Sequence, residues 1–255
     1  MHYTINDIIN ALKKIGIKKG DIIFSHMNLG FFGVPEGGLS IDNIFKVFYT
    51  AIFEVLGSDG LLIVPTFTYS FCKGEIFDPE NTPSNMGIFA ETLRKHPRSC
   101  RTFDPIFSVC LHGNIKKIFP NGNVIISTEC FGKGSIWDLM YKNNAKICNF
   151  NLDSASTFIH YVEKMLNVPY RYDKEFKGLS KWNGKLINHR VIYFVRDLKY
   201  YPDFKKFHKF AKEEGLVKSA QLGKGVINCI TCKDTFKICK KLLNSDPYAL
   251  ARQSN

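Results

Sequence analysis

Ile22-Ile23-Phe24 and Leu61-Leu62-Ile63-Val64 are two continuous apolar runs, and between them Ile41 to Leu56 reads as a helix. The runs are set off by Lys19-Gly20-Asp21 and by the turn Gly57-Ser58-Asp59-Gly60. Short runs that are apolar at every position predict strands of a sheet covered on both faces. Strand, helix, strand at this spacing predicts a βαβ unit. The chain leaves the first strand through the loop Ser25 to Gly33 and the second through Pro65-Thr66-Phe67-Thr68-Tyr69. Ligands of open α/β sheets collect beyond the carboxyl ends of strands, so both loops are candidates for a site.

Outward from this unit, Thr4 reads as the N-cap of a helix that ends at Gly16. Phe71 to Asn85 reads as irregular, Gly87 to Arg94 as a helix, and Arg101 to Val109 as a loop entering a strand. The turn Phe131 to Ser135 feeds a helix from Ile136 to Tyr141, and Lys146 to Phe150 reads as a strand. Strands Val191–Phe194 and Val226–Cys229, a basic helix between them and a helix from Lys233 to Leu243 complete the pattern. The expected fold is α/β: a mixed, largely parallel central sheet with helices on both faces and a smaller C-terminal α+β portion. One domain over 1–255 is expected, with a C-terminal subregion at 184–255.

The chain has 255 residues, 45% hydrophobic, enough for a substantial core. No apolar run reaches the roughly 20 residues of a membrane helix. The segment Met1 to Asp7 has neither a basic nor an apolar leader region, so a cytoplasmic protein without a membrane span is expected. Its eight cysteines are scattered and read as reduced thiols. Cys229-Ile230-Thr231-Cys232 has metal-knuckle spacing but no second pair, so no metal is expected. The formal charge of +12 favours anionic partners over a polycationic ligand. Lys199, Lys205, Lys206, Lys209 and Lys212 concentrate it, but nothing matches a nucleic-acid module, and no nucleic acid is expected.

Thr157-Phe158-Ile159-His160-Tyr161-Val162-Glu163 sets a histidine and a carboxylate three residues apart on an apolar-striped helix. That spacing brings both side chains to one face. A histidine so held can take a proton near neutral pH.

Nine stretches recur in a specific order: G-D-I-I-F-S-H-M-N-L-G from Gly20, E-G-G from Glu36, V-P-T-F-T-Y from Val64, F-D-P-E-N-T-P-S-N-M-G from Phe77, R-T-F-D-P-I-F-S-V from Arg101, F-G-K-G-S-I-W from Phe131, T-F-I-H-Y-V-E from Thr157, V-P-Y-R-Y from Val168 and D-P-Y-A-L from Asp246. The set resembles the aminoglycoside 3-N-acetyltransferase family over nearly the whole chain. The resemblance implies acetyl-CoA or another acyl-CoA as donor, an amino sugar as acceptor and a cleft over the sheet, with a homodimer as an allowed state. It implies His160 as the catalytic histidine, Glu163 as its companion carboxylate and Thr66 as a donor to the oxyanion. His26, Met27, Asn28 and Leu29 would line the CoA arm, Gly30, Phe32 and Gly33 would complete that wall with Ser108 nearby, and Thr66 and Thr68 would lie by the thioester. Tyr69, Asp78, Asn85 and Asp104 would face the acceptor.

The sequence departs from the family pattern at three places. Asp104 stands where a histidine usually precedes the proline, Met27-Asn28 where two serines are usual, and Ser135-Ile136-Trp137 lacks the usual intervening proline. Resistance enzymes of this kind generally hold their polycationic substrates in an acidic cleft. The basic charge therefore favours a nucleotide-linked amino-deoxy sugar as acceptor, for surface polysaccharide synthesis. Two alternatives stay open: an aminoglycoside acceptor, and a non-catalytic basic protein that binds RNA or a phosphorylated ligand.

Overall fold

The structure is a computed structural model and describes residues 2–122, 124 and 127–254. In chain order its elements are β1 (His2–Tyr3), α1 (Ile5–Lys14), β2 (Ile22–Phe24), β3 (Val34–Pro35), α2 (Ile41–Leu56), β4 (Leu61–Pro65), α3 (Ile88–Arg94), β5 (Ser99–Arg101), β6 (Val109–Gly113), α4 (Ile136–Lys142), β7 (Lys146–Phe150), α5 (Phe158–Met165), β8 (Arg171–Trp182), β9 (Lys185–Arg196), β10 (Tyr200–Pro202), α6 (Lys205–Glu213), β11 (Lys218–Leu222), β12 (Gly225–Thr231), α7 (Cys232–Ser245) and β13 (Ala251–Gln253). No helix among the described residues is long and apolar enough to cross a membrane.

A seven-stranded sheet in the order β11-β12-β7-β2-β4-β6-β5 organises the fold. The α2 crossover makes β2 and β4 parallel, as the βαβ reading requires, and β7 adds a second parallel pair on the other side of β2. The sheet is mixed as expected, but its parallel part is confined to these three central strands. The outer pairings β4–β6, β5–β6, β12–β7 and β11–β12 are antiparallel. For the outermost pair the reason is local: β11 and β12 are joined by the two-residue turn Gly223-Lys224, which can connect only antiparallel neighbours. The C-terminal α+β portion is joined to this sheet, since β12 pairs with β7 along its whole length.

Alternation along the strands divides their apolar residues between two cores. Ile23, Leu62, Val64, Cys148 and Phe150 pack with α1, α2 and α3. Ile22, Phe24, Leu61, Ile63 and Ile147 pack with α4, α5 and α7. The helices hold because their caps are satisfied: Thr4 and Asp7 form a reciprocal capping box, and Ser40 and Ser135 accept from the backbone of Asn43 and Asp138.

The sequence reading placed only Val191–Phe194 in a strand, whereas β8 and β9 form a hairpin of twelve residues per arm, paired from Arg171–Arg196 to Trp182–Lys185. Asn183 and Gly184 make its turn with φ of 48° and 77°. Both angles lie in the left-handed region that a tight hairpin turn demands. The root of this hairpin stands against α5.

Candidate active site

α5 begins where the chain rises from β7, and its apolar residues Phe158, Ile159, Tyr161 and Val162 are buried. Glu163 is buried with them, while the His160 side chain keeps 17% exposure. Nδ1 of His160 lies 2.6 Å from Oε2 of Glu163, and the hydroxyl of Tyr170 donates to Oε1 at 2.8 Å. Arg171, the first residue of β8, places Nε 2.7 Å from Oε2 of Glu163 as an ion pair, outside the alignment of a hydrogen bond.

A carboxylate only accepts, so the His160–Glu163 contact puts the proton on Nδ1 and leaves the Nε2 lone pair for the site. Burial pushes the His160 pKa down and Arg171 adds to this, against the pull of Glu163. Burial pushes the Glu163 carboxyl up, but His160, Arg171 and Tyr170 together bring it below the usual range. The result is a neutral, oriented imidazole beside an ionised carboxylate, the state a general base needs.

The surroundings of His160 come from segments far apart in the chain. Phe131 stands edge-on to the imidazole at 5.5 Å, and Tyr193 of β9 lies 6.2 Å from Phe131 and 4.8 Å from Phe107. Tyr69 is half-exposed and completes this aromatic rim, 5.9 Å from Phe107. His26, at the end of β2, reaches α5 through Nε2, 3.3 Å from Oγ1 of Thr157. Burial and the neighbouring His160 lower the His26 pKa to about 4, so it too is neutral.

Met27, Asn28, Leu29 and Gly30 run on from His26 and line a groove of about 330 Å³. Its other walls are Ile41, Ile44 and Phe45 of α2 and Gly87 to Phe89 at the start of α3. The groove is apolar and begins one residue after His26 in the chain, which suits the flexible arm of a long acyl carrier.

Several residues expected in the site lie elsewhere or do other work. Phe32 is fully buried among Tyr3, Phe48 and Phe150, so it supports the loop from behind rather than lining the groove. Its carbonyl also holds the β11–β12 turn: Lys224 N donates to it at 2.9 Å, and a Cβ on Gly223 would come within 2.0 Å of it. Gly33, at φ 110°, makes the bend that follows. Thr66 is fully buried with its hydroxyl donating to the Ser108 carbonyl at 3.1 Å, and Ser108 returns a bond to the Thr66 carbonyl at 2.9 Å. This reciprocal lock, with Arg101 donating to both residues, spends the Thr66 hydroxyl expected to meet the thioester and the Ser108 hydroxyl expected near the CoA arm. Thr68 is buried and bonded to Ser70 at 3.1 Å.

Asp104 is buried and accepts from the backbone of Ile106 and Phe107 at 2.8 Å each, so it shapes its own turn instead of meeting an acceptor. Asp78 likewise caps its turn, bonding Glu80 N and Asn81, and lines a separate cavity of about 560 Å³ with Arg94, Arg101 and Lys181. Asn85 is exposed, and its backbone is tied to Phe67 at 3.0 Å. The sequence reading assigned no role to Tyr170, Arg171 and Tyr193. The Asn183-Gly184 turn between two strand-like runs was the signal that could have brought the hairpin, and with it these residues, to the site.

The family model for aminoglycoside 3-N-acetyltransferases matches residues 31–244. No curated protein matches the sequence. Among solved structures, AAC-IIIb in a binary complex with CoASH is 15% identical, with 96% of this chain and 97% of that chain covered at a TM-score of 0.78. A mutant of aminoglycoside acetyltransferase AAC(3)-IVa in complex with a gentamicin is 18% identical, with coverage of 98% and 92% and a TM-score of 0.76. The YokD protein from Bacillus subtilis is 17% identical, with coverage of 96% and 100% and a TM-score of 0.73. At these identities the likeness is one of fold, and it covers 96–98% of this chain. Family membership rests on the sequence model: the chain belongs to the aminoglycoside 3-N-acetyltransferase family.

Proposed function

We propose that the protein is an acetyl-CoA-dependent N-acetyltransferase whose acceptor is an amine of an aminoglycoside-type amino sugar, with the whole chain acting as one catalytic domain. The observation that carries this reading is His160, held through Nδ1 by the buried carboxylate of Glu163. The groove would take the pantetheine arm, as suits a relative of a CoASH-bound acetyltransferase. The amine gives one proton to Nε2 of His160 as its nitrogen attacks the thioester carbonyl. The C–S bond then breaks, the CoA thiolate takes that proton and leaves as the free thiol, and the sugar keeps the amide. No residue forms a covalent bond to the acetyl group in this scheme.

The acceptor differs from the nucleotide-linked sugar that net charge favoured. Charge summed over the chain is not the potential of the cleft: Lys205, Lys206, Lys209 and Lys212 of α6 and Lys233, Lys237, Lys240 and Lys241 of α7 are exposed on helix surfaces. Family membership and a neighbour holding a gentamicin support the aminoglycoside class instead. A non-catalytic anion binder gives no reason for a neutral imidazole against a buried carboxylate. The test is thiol release from acetyl-CoA with a panel of aminoglycosides and a panel of nucleotide-linked amino sugars. Turnover with aminoglycosides is expected, and its absence with every one of them would overturn the reading.

A further inference from the structure

Glu163 alone would make a poor partner for a base. A buried carboxylate 2.6 Å from an imidazole stabilises the imidazolium and tends to lock the histidine in its protonated form. The structure contains the remedy. The Arg171 guanidinium is 2% exposed and touches both members of the pair, with Nε 2.7 Å from Oε2 of Glu163 and Nη2 3.0 Å from Nδ1 of His160. It is fixed from the other side by Nη1, which donates to the Phe194 carbonyl at 3.1 Å across the hairpin. Nδ1–H and the guanidinium N–H groups are all donors, so the 3.0 Å contact between Nη2 and Nδ1 is a repulsive one that worsens when the ring gains a proton.

The other groups facing His160 carry no charge to offset this. From its own helix comes only Glu163. The hairpin brings Arg171 and the Tyr193 phenol, with Tyr170 just before it, and burial raises both phenols above the ordinary value. From the end of β2 comes His26, neutral above about pH 4. Phe131 and Phe204, at 5.5 and 5.9 Å, are apolar. Glu163 and Arg171 therefore cancel, and a proton on His160 leaves the buried cluster with an uncompensated positive charge.

We propose that Arg171 is a positioning residue that holds His160 unprotonated at neutral pH by neutralising Glu163 and crowding Nδ1, an inference that rests on reading His160 as the base. Glu163 sets the tautomer and Arg171 sets the protonation state. The hairpin that carries Arg171 is then part of the catalytic apparatus, since its pairing delivers the guanidinium and the Phe194 carbonyl that aims it.

The experiment is a pH titration of the His160 ring by NMR in histidine-labelled protein, assigned with His160→Gln, together with kcat/KM against pH. In Arg171→Gln, which keeps donors but loses the charge, the midpoint is expected to rise by roughly one pH unit or more. The acid limb of kcat/KM should rise with it, about tenfold in activity per unit below the midpoint, and activity should recover at high pH. Arg171→Lys restores the charge and should bring the midpoint back toward that of the native protein. An unmoved midpoint in folded Arg171→Gln overturns the inference. Should that variant fail to fold, the native protein decides: a His160 midpoint above the ordinary 6.5 is incompatible with the proposal. The base assignment fails separately, if His160→Gln keeps its turnover, and that outcome does not alter the titration.

Discussion

Oγ1 of Thr157 lies 3.3 Å from Nε2 of His26, joining the end of β2 to the start of α5 across 131 residues of sequence. The contact locks the strand that leads to the groove against the helix that carries His160. Thr157→Val should cost about 1 kcal/mol of stability, the usual net value of a hydrogen bond. Because the contact holds the N-cap of the helix that carries His160, the same variant should also lower kcat more than it alters CoA affinity. Urea denaturation and steady-state kinetics check the two parts; unchanged stability and kcat would show the contact to be incidental.

His160→Ala should lower kcat by roughly 10²–10⁴ while leaving CoA binding and the melting temperature near those of the parent. Glu163→Gln should also lose activity, and it should lose stability because the variant leaves Arg171 buried without its counter-charge, a cost of about 3–5 kcal/mol. Single-turnover kinetics and thermal melts separate the two effects. Near-normal turnover in folded His160→Ala would refute the general-base reading.

Gly30 is a clean probe of the groove. It has no positive φ, and a Cβ built on it would meet nothing within 4 Å, so a larger residue costs little in the free protein. Gly30→Phe should weaken CoA binding at least roughly tenfold, about 1.4 kcal/mol, with stability unchanged. Calorimetry showing native affinity in this variant would place the CoA arm elsewhere. Gly33, at φ 110°, would report backbone strain instead.

Phe32 should behave as a core residue. Phe32→Ala is expected to cost about 3–5 kcal/mol of stability, the range for deleting a buried aromatic side chain. Any loss of CoA affinity should follow from the loosened loop. Chemical denaturation gives the first quantity, and a cost under about 1 kcal/mol would contradict the packing described.

Burial depresses the pKa of His26 and of His112 to about 4 in the folded protein, against 6.5 as the ordinary value. Between these pH values the unfolded chain binds more protons at both sites, so stability must fall as the pH drops from 6.5 toward 4 and is complete above 6.5. The slope should be at most about 1.4 kcal/mol per pH unit for each group. His112 bonds Tyr49 at 3.0 Å and Ser99 at 2.9 Å and lies away from the site, so His112→Asn should flatten the slope without touching the acid limb of activity. An unchanged slope in that variant would assign the acid sensitivity to other groups.

Much of this architecture is written locally in the chain. Ile22-Ile23-Phe24 and Leu61 to Val64 are apolar at every position, which only a sheet covered on both faces can use, and Thr4, Ser40 and Ser135 mark helix starts by hydroxyls that serve as caps. The three-residue spacing of His160 and Glu163 was enough to put them in contact, because a helix fixes that geometry without outside help. Strand direction and the burial of single polar residues belong to the tertiary structure. Residues 99–113 could have entered the sheet in either direction, and Thr66, Ser108 and Asp104 read as ligand-facing until their hydroxyls and carboxylate were found spent on neighbouring backbone. Arg171 shows the limit most plainly. Its position in the chain follows Glu163 by eight residues, but its aim at His160 depends on a twelve-residue hairpin and on the carbonyl of Phe194. Long-range pairing of this sort reflects which surfaces bury against one another, a property of the assembled sheet that no stretch of sequence carries alone.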